Sequence, residues 1–142
     1  GMSDVLFVCV HNAGRSQMAK ALFNFHAQKQ ALPYRADSAG TEPSSGVHAI
    51  VAQAMQELGL DISKEQPKLI TNDMVQSAQK VVTMGCQVDA DKCPAVFIKG
   101  VEDWGLPDPK DRPLPEVRAI RDTIRRRVEE LLVELAKTPA QP

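Results

Sequence analysis

Hydrophobic positions along the chain switch between two patterns. Residues 4–10, Asp-Val-Leu-Phe-Val-Cys-Val, form a nearly unbroken apolar run without polar alternation. A strand buried on both faces of a parallel sheet has this pattern. Residues 17–30 then carry Met18, Ala19, Leu22, Phe23 and Phe25 at near-helical spacing, and Pro33 ends the pattern. A short strand is expected over 34–38. A second helix is expected over 47–58, with Val47, Ile50, Val51, Ala54, Met55 and Leu58 on one side and Gly59 placed to end it in a left-handed conformation. Residues 71–77 read as a short helix with Asn72 as its cap. Residues 80–84 are another apolar strand, 85–94 a polar loop, 95–98 a fourth strand, and 101–115 a long loop with four prolines. Residues 116–137 form the last helix, with Val117, Ile120, Ile124, Val128, Leu131 and Leu135 as its buried stripe.

Strands alternating with helices predict an α/β fold of three layers, a four-stranded parallel sheet with helices on both faces. No repeat, linker or low-complexity stretch divides the 142 residues, so residues 2–142 are expected to form a single domain, large enough for a real core. Gly1 before Met2 reads as a cleavage scar and is set aside.

Composition narrows the partners. Seventeen basic residues against eighteen acidic ones leave a formal net charge of −1, which gives no basic field for nucleic acid. No apolar run approaches the roughly 18 residues of a spanning helix, and the start of the chain does not read as a signal peptide, so a membrane is not expected and a cytoplasmic location is. Three cysteines in such a chain point to reactive thiols in a reducing compartment rather than to a disulfide framework.

The chemistry is concentrated where the first strand gives way to the first helix. Cys9 ends the strand, Arg15 and Ser16 open the helix, and Val10, His11, Asn12, Ala13 and Gly14 join them. Backbone N–H groups at a helix N-terminus are unpaired and point outward, and the helix dipole adds positive potential. The same field favours a nucleophilic thiolate at Cys9. Arg15 adds a planar fork suited to the oxygens of a tetrahedral anion. Ser16 can donate to the thiolate or cap the helix. Asn12 is expected to set the shape of the loop, and His11 either to tune the thiolate or to lie on the surface. Cys86 lies just beyond another strand end, on the edge where ligands bind in parallel sheets, so it can approach Cys9. Cys86 and Cys93 do not have the spacing of a zinc pair, and no neighbouring histidine completes a site.

The segment Cys9-Val-His-Asn-Ala-Gly-Arg-Ser16 resembles the phosphate-binding loop of low-molecular-weight protein tyrosine phosphatases. The chain resembles more closely their redox relatives, the arsenate reductases, through Val81-Val-Thr-Met-Gly-Cys86, Cys93-Pro94, Glu102-Asp-Trp104, Asp108-Pro109 and the last helix. Gly14 stands where many members carry a second cysteine. Lys20 stands where some carry an acidic residue beside a potassium ion, so no metal is expected.

The resemblance implies an arsenate reductase that binds arsenate, or a phosphate-like oxyanion, in residues 10–16. It implies Cys9 as nucleophile, Arg15 as clamp, Asp108 as general acid and a Cys9/Cys86/Cys93 thiol–disulfide relay. No bound cofactor is implied. The reductant would be external, either thioredoxin or a low-molecular-weight thiol with a glutaredoxin-like partner. Trp104 would brace the loop that carries Asp108. The alternative implied by the same loop is a phosphatase that hydrolyses phosphomonoesters through a phosphocysteine at Cys9.

Overall fold

A computed structural model of the chain describes residues 3–85 and 101–137. Four strands, β1 (Val5–Cys9), β2 (Ala36–Gly40), β3 (Lys80–Thr83) and β4 (Glu102–Asp103), form one sheet in the order β2-β1-β3-β4. Every pairing is parallel. The helices are α1 (Arg15–Lys29), α2 (Ala49–Gln56), α3 (Asn72–Ser77) and α4 (Leu114–Lys137). The expected three-layer α/β architecture is the one observed.

β1 is buried along its whole length, as its unbroken apolar run requires. Val5, Phe7 and Cys9 face α1, α2 and α4, where they pack with Met18, Leu22, Met55, Ile124 and Val128. Leu6 and Val8 face the other way, against Ile70, Val75 and Ala78. Fully burying a side chain such as Phe7 or Ile124 contributes about 1.5–3 kcal/mol, so β1 holds both layers to one sheet. The stripe expected on the last helix is buried at all six positions.

Several boundaries differ from the pattern-based expectation. α1 starts at Arg15 rather than 17, because the Gly14 carbonyl already accepts from Met18 N at 3.0 Å. β2 runs on to Gly40, where the chain passes close to the Val10 carbonyl and Asn12; a Cβ there would collide with the Val10 oxygen. Thr71, not Asn72, caps α3, its hydroxyl accepting from Met74 N at 3.2 Å. Gly59 has φ 77°, as expected. Within the expected proline-rich loop, residues 102 and 103 pair with β3 and form the fourth strand. The strand expected over residues 95–98 lies outside the described residues.

Glu57, just past α2, ties this helix to α4. Its carboxylate accepts from Arg118 Nη2 at 2.6 Å, from Arg118 Nε shared between both oxygens at 2.9 and 3.1 Å, and from Arg121 Nη1 at 2.8 Å. Arg121 is 7% exposed and also donates to the Ala54 carbonyl. The Arg118 hydrogen bonds, then those from Arg121, hold the Glu57 carboxyl down from 4.5 to about 2. A carboxylate with a depressed folded-state pKa stabilises the fold above its unfolded pKa, and that contribution disappears as pH falls through the folded one. Acidification from about pH 5 to about pH 2 is therefore expected to weaken the α2–α4 contact, and Glu57→Gln to flatten this part of the stability profile, read from urea midpoints across that window.

Candidate active site

Cys9 ends β1, and the chain reverses through residues 10–14 before α1 begins. The reversal turns on Asn12, which is completely buried and has φ 52°. Asparagine enters the left-handed region more readily than most residues because its short amide can bond locally. Here Asn12 Nδ2 donates to Ser16 Oγ at 2.7 Å, and Oδ1 accepts from Gln17 Nε2 at 3.2 Å and from Lys68 N at 3.1 Å. Asn12 thus sets the shape of the loop, as expected, though mainly through its side chain.

The Cys9 sulfur sits inside this bend, 2.8 Å from Ser16 Oγ and 3.1 Å from Asn12 N. With Asn12 donating into the Ser16 oxygen, the hydroxyl proton is available to the sulfur. Hydrogen bonds of this kind favour the charged thiolate. The N-cap of α1 is Gly14, not Ser16. The Ser16 side chain is therefore directed to the thiol, which resolves the two roles open to it.

Arg15 Nη1 donates to the Met84 carbonyl at 3.0 Å and the Leu106 carbonyl at 2.6 Å. These bonds hold the guanidinium between the end of β3 and the segment leading to Asp108. Among the described residues, no acceptor meets the backbone N–H groups of Ala13, Gly14 or Arg15. Above the sulfur opens a cleft of about 230 Å³, lined by Cys9, Val10, His11, Ala13, Gly14, Arg15, His48 and Asp108. A thiol nucleophile, a guanidinium and unpaired N–H donors around one small space can bind a tetrahedral oxyanion and attack its central atom.

Asp108 also lines the cleft and is exposed, its Oδ1 accepting from Lys110 N at 3.0 Å. Trp104 braces this segment. It is 4% exposed, its ring lies 5.4 Å from that of Phe7, and its Nε1 donates to Glu102 at 2.7 Å. Asp103 adds a brace that sequence reading missed, accepting from Thr83 Oγ1 at 2.7 Å and Gly85 N at 2.8 Å. His48 was also missed, although it lines the cleft; no local pattern marks it. His11 is exposed, and its Nδ1 lies 2.9 Å from the Glu42 carbonyl, so that nitrogen carries a proton. Cys86 and Cys93 lie outside the described residues. β3, whose chain leads to Cys86, is the direct neighbour of β1.

The family model for the low molecular weight phosphotyrosine protein phosphatases matches residues 4–141. The chain belongs to this family. A putative arsenate reductase of Halobacterium salinarum is 38% identical over 133 residues, which covers 90% of this chain and 89% of that protein. Among solved structures, an arsenate reductase in a phosphate-binding state superposes with a TM-score of 0.79 at 32% identity, covering 94% of this chain and 98% of that one. The thioredoxin-dependent arsenate reductase of Corynebacterium glutamicum superposes with a TM-score of 0.74 at 36% identity, covering 95% of this chain and 62% of that one.

Gly14 and Lys20 each bear on what the loop can hold. A side chain at Gly14 would press within 3.1 Å of Pro109 Cγ and 3.6 Å of His48 Cδ2, so glycine lets both residues close over the loop. Lys20 Nζ lies 3.8 Å from both Asp37 and Glu65, and Lys68 Nζ reaches Asp37 at 2.7 Å. The carboxylates beside Lys20 are thus already balanced by ammonium groups and do not fit a resident potassium ion.

Removing the Ser16 hydroxyl deletes a hydrogen bond to a charged group, of order 1.5–3 kcal/mol. Ser16→Ala is expected to shift the pH profile of Cys9 alkylation upward by about one unit or more. An unchanged profile in iodoacetamide kinetics would mean that Ser16 does not stabilise the thiolate.

Proposed function

We propose that this protein is an arsenate reductase that converts arsenate to arsenite by attack of Cys9, with Asp108 as general acid and Cys86 and Cys93 as the exchanging thiols. The observation that carries this reading is the Cys9 sulfur, hydrogen-bonded by Ser16 and Asn12 at the floor of a cleft walled by Arg15 and Asp108. The arsenate reductases among its relatives support the choice of oxyanion.

Arsenate enters the loop with its oxygens toward the N–H groups of residues 10–16 and the Arg15 guanidinium. The Cys9 thiolate attacks arsenic, and Asp108 donates the proton that lets one oxygen leave as water. The Cys86 thiolate then attacks the Cys9 sulfur. The S–As bond breaks with its electron pair moving to arsenic, which leaves as As(III), and a Cys9–Cys86 disulfide forms. Cys93 attacks the Cys86 sulfur, which releases the Cys9 thiolate and leaves a Cys86–Cys93 disulfide. Two electrons reach arsenic and two thiols are oxidised, so the cycle closes only with an external dithiol. Thioredoxin fits that role, as the C. glutamicum relative is described as thioredoxin-dependent. A low-molecular-weight thiol with a glutaredoxin-like partner is the variant. A cycle that depends on free thiols suits a reducing compartment such as the cytoplasm; among the described residues, no helix is long and apolar enough to cross a membrane.

The family also favours a second reading, hydrolysis of phosphomonoesters through a phosphocysteine at Cys9 with Asp108 as acid and then base. The two chemistries share Cys9, Arg15 and Asp108 and differ in their need for the other thiols. Cys86→Ser and Cys93→Ser should each abolish steady-state arsenite production with thioredoxin while sparing any phosphatase activity. Mass spectrometry after one turnover without reductant should find a Cys86–Cys93 disulfide. Arsenate turnover that survives both substitutions would rule out the relay.

A further inference from the structure

His48 stands apart from the other groups of the cleft. Its backbone is fixed on both sides, with N donating to the Ala13 carbonyl at 3.0 Å and the carbonyl accepting from Val51 N and Ala52 N, each at 3.0 Å. The first bond ties the residue to the oxyanion loop, and the others tie it to the start of α2. Its half-buried ring lies over Gly14 and forms a wall of the cleft together with Asp108. His48 is the N-cap of α2, yet its side chain makes no capping bond. Among the described residues, neither ring nitrogen has a hydrogen-bond partner, whereas the other cleft histidine, His11, is turned to the Glu42 carbonyl. The ring nitrogens of this half-buried side chain are therefore available to a ligand in the cleft.

We propose that His48 is a substrate-positioning residue whose ring donates a hydrogen bond to the tetrahedral anion held over Cys9 and takes up a proton when a dianion binds. This rests on the reading of the cleft as an oxyanion site. The charges acting on the ring come from two segments. Asp108, Lys110 and Asp111 lie on the segment leading to α4 and His11 on the Cys9 loop, while Arg15 lines the same cleft and α2 has no charged residue in Ala49–Gln56. Burial first lowers the pKa of His48; Asp108 and Asp111 oppose this, while Lys110 and His11 add to it. The empty cleft therefore favours neutral imidazole near neutral pH. A dianion placed between Arg15 and His48 reverses the balance, because an adjacent negative charge favours the imidazolium. Binding then recruits a second cationic donor in the cleft, in addition to Arg15, without holding two cations together in the empty site. A monoanion lacks part of this gain, so His48 biases the site toward tetrahedral dianions.

The test uses the full-length protein with inorganic phosphate as the probe. NMR titration of the three histidine side chains, with His48 assigned by its loss in His48→Gln, should show its midpoint rising by about one pH unit or more with saturating phosphate. In steady-state assays His48→Ala should raise the arsenate KM about tenfold with little change in kcat, as expected for the loss of one hydrogen bond to a charged partner. His48→Gln keeps an N–H donor, so it should recover most of the affinity but lose the proton uptake. Protection of Cys9 from alkylation reports separately whether phosphate occupies the cleft. Protection with an unmoved His48 midpoint, or an unchanged KM in a folded His48→Ala, overturns the proposal and leaves the oxyanion site standing. Absence of protection overturns the oxyanion reading and the proposal with it.

Discussion

The site depends on one backbone reversal. Asn12 holds a left-handed conformation in a fully buried position, and the strain is offset because its amide bonds Ser16, Gln17 and the Lys68 backbone at once. That conformation points the Asn12 N–H at the Cys9 sulfur and brings the Ser16 hydroxyl to the same atom. A loop relaxed toward ordinary dihedrals would lose both contacts. The Cys9 sulfur is thus positioned by loop shape, with Ser16 making the bond at closest range.

The surrounding fold keeps that loop in place. β1 is held between β2 and β3, and β2 ends in Gly40, where the Val10 carbonyl and Asn12 leave no space for a side chain. Lys68 reaches Asn12 from the segment after α2, and its ammonium joins Lys20 around Asp37. Arg15 is aimed by two carbonyls from the opposite side, at Met84 and Leu106. Arg15 and the segment carrying Asp108 therefore share a support, and Trp104 and Asp103 join that support to β1 and β3. Parallel strands make this convergence possible, because all their carboxyl ends open on one edge.

Periodicity and local motif determined a good part of this protein. The valine-rich run of β1 could be satisfied only by burial on both faces, and the stripe of α4 only by packing along its length, so the layered α/β fold was legible from local composition. Cys9, Arg15 and Ser16 fall in one contiguous segment, so the sequence by itself places all three at the junction of β1 and α1. Element ends were less legible. Whether a helix starts at residue 15 or 17, or Thr71 or Asn72 caps α3, is decided by single hydrogen bonds that period and propensity do not register.

Tertiary structure alone decided which distant residues complete the cleft. The short strand at residues 102 and 103 exists because β3 offers an unpaired edge, and nothing in a proline-rich stretch announces it. The support of Arg15 by two carbonyls and the position of His48 beside Asp108 both arise where segments far apart in the chain meet. A side chain's local neighbours determine the element it joins, whereas its charge, partners and availability depend on what the fold packs against it.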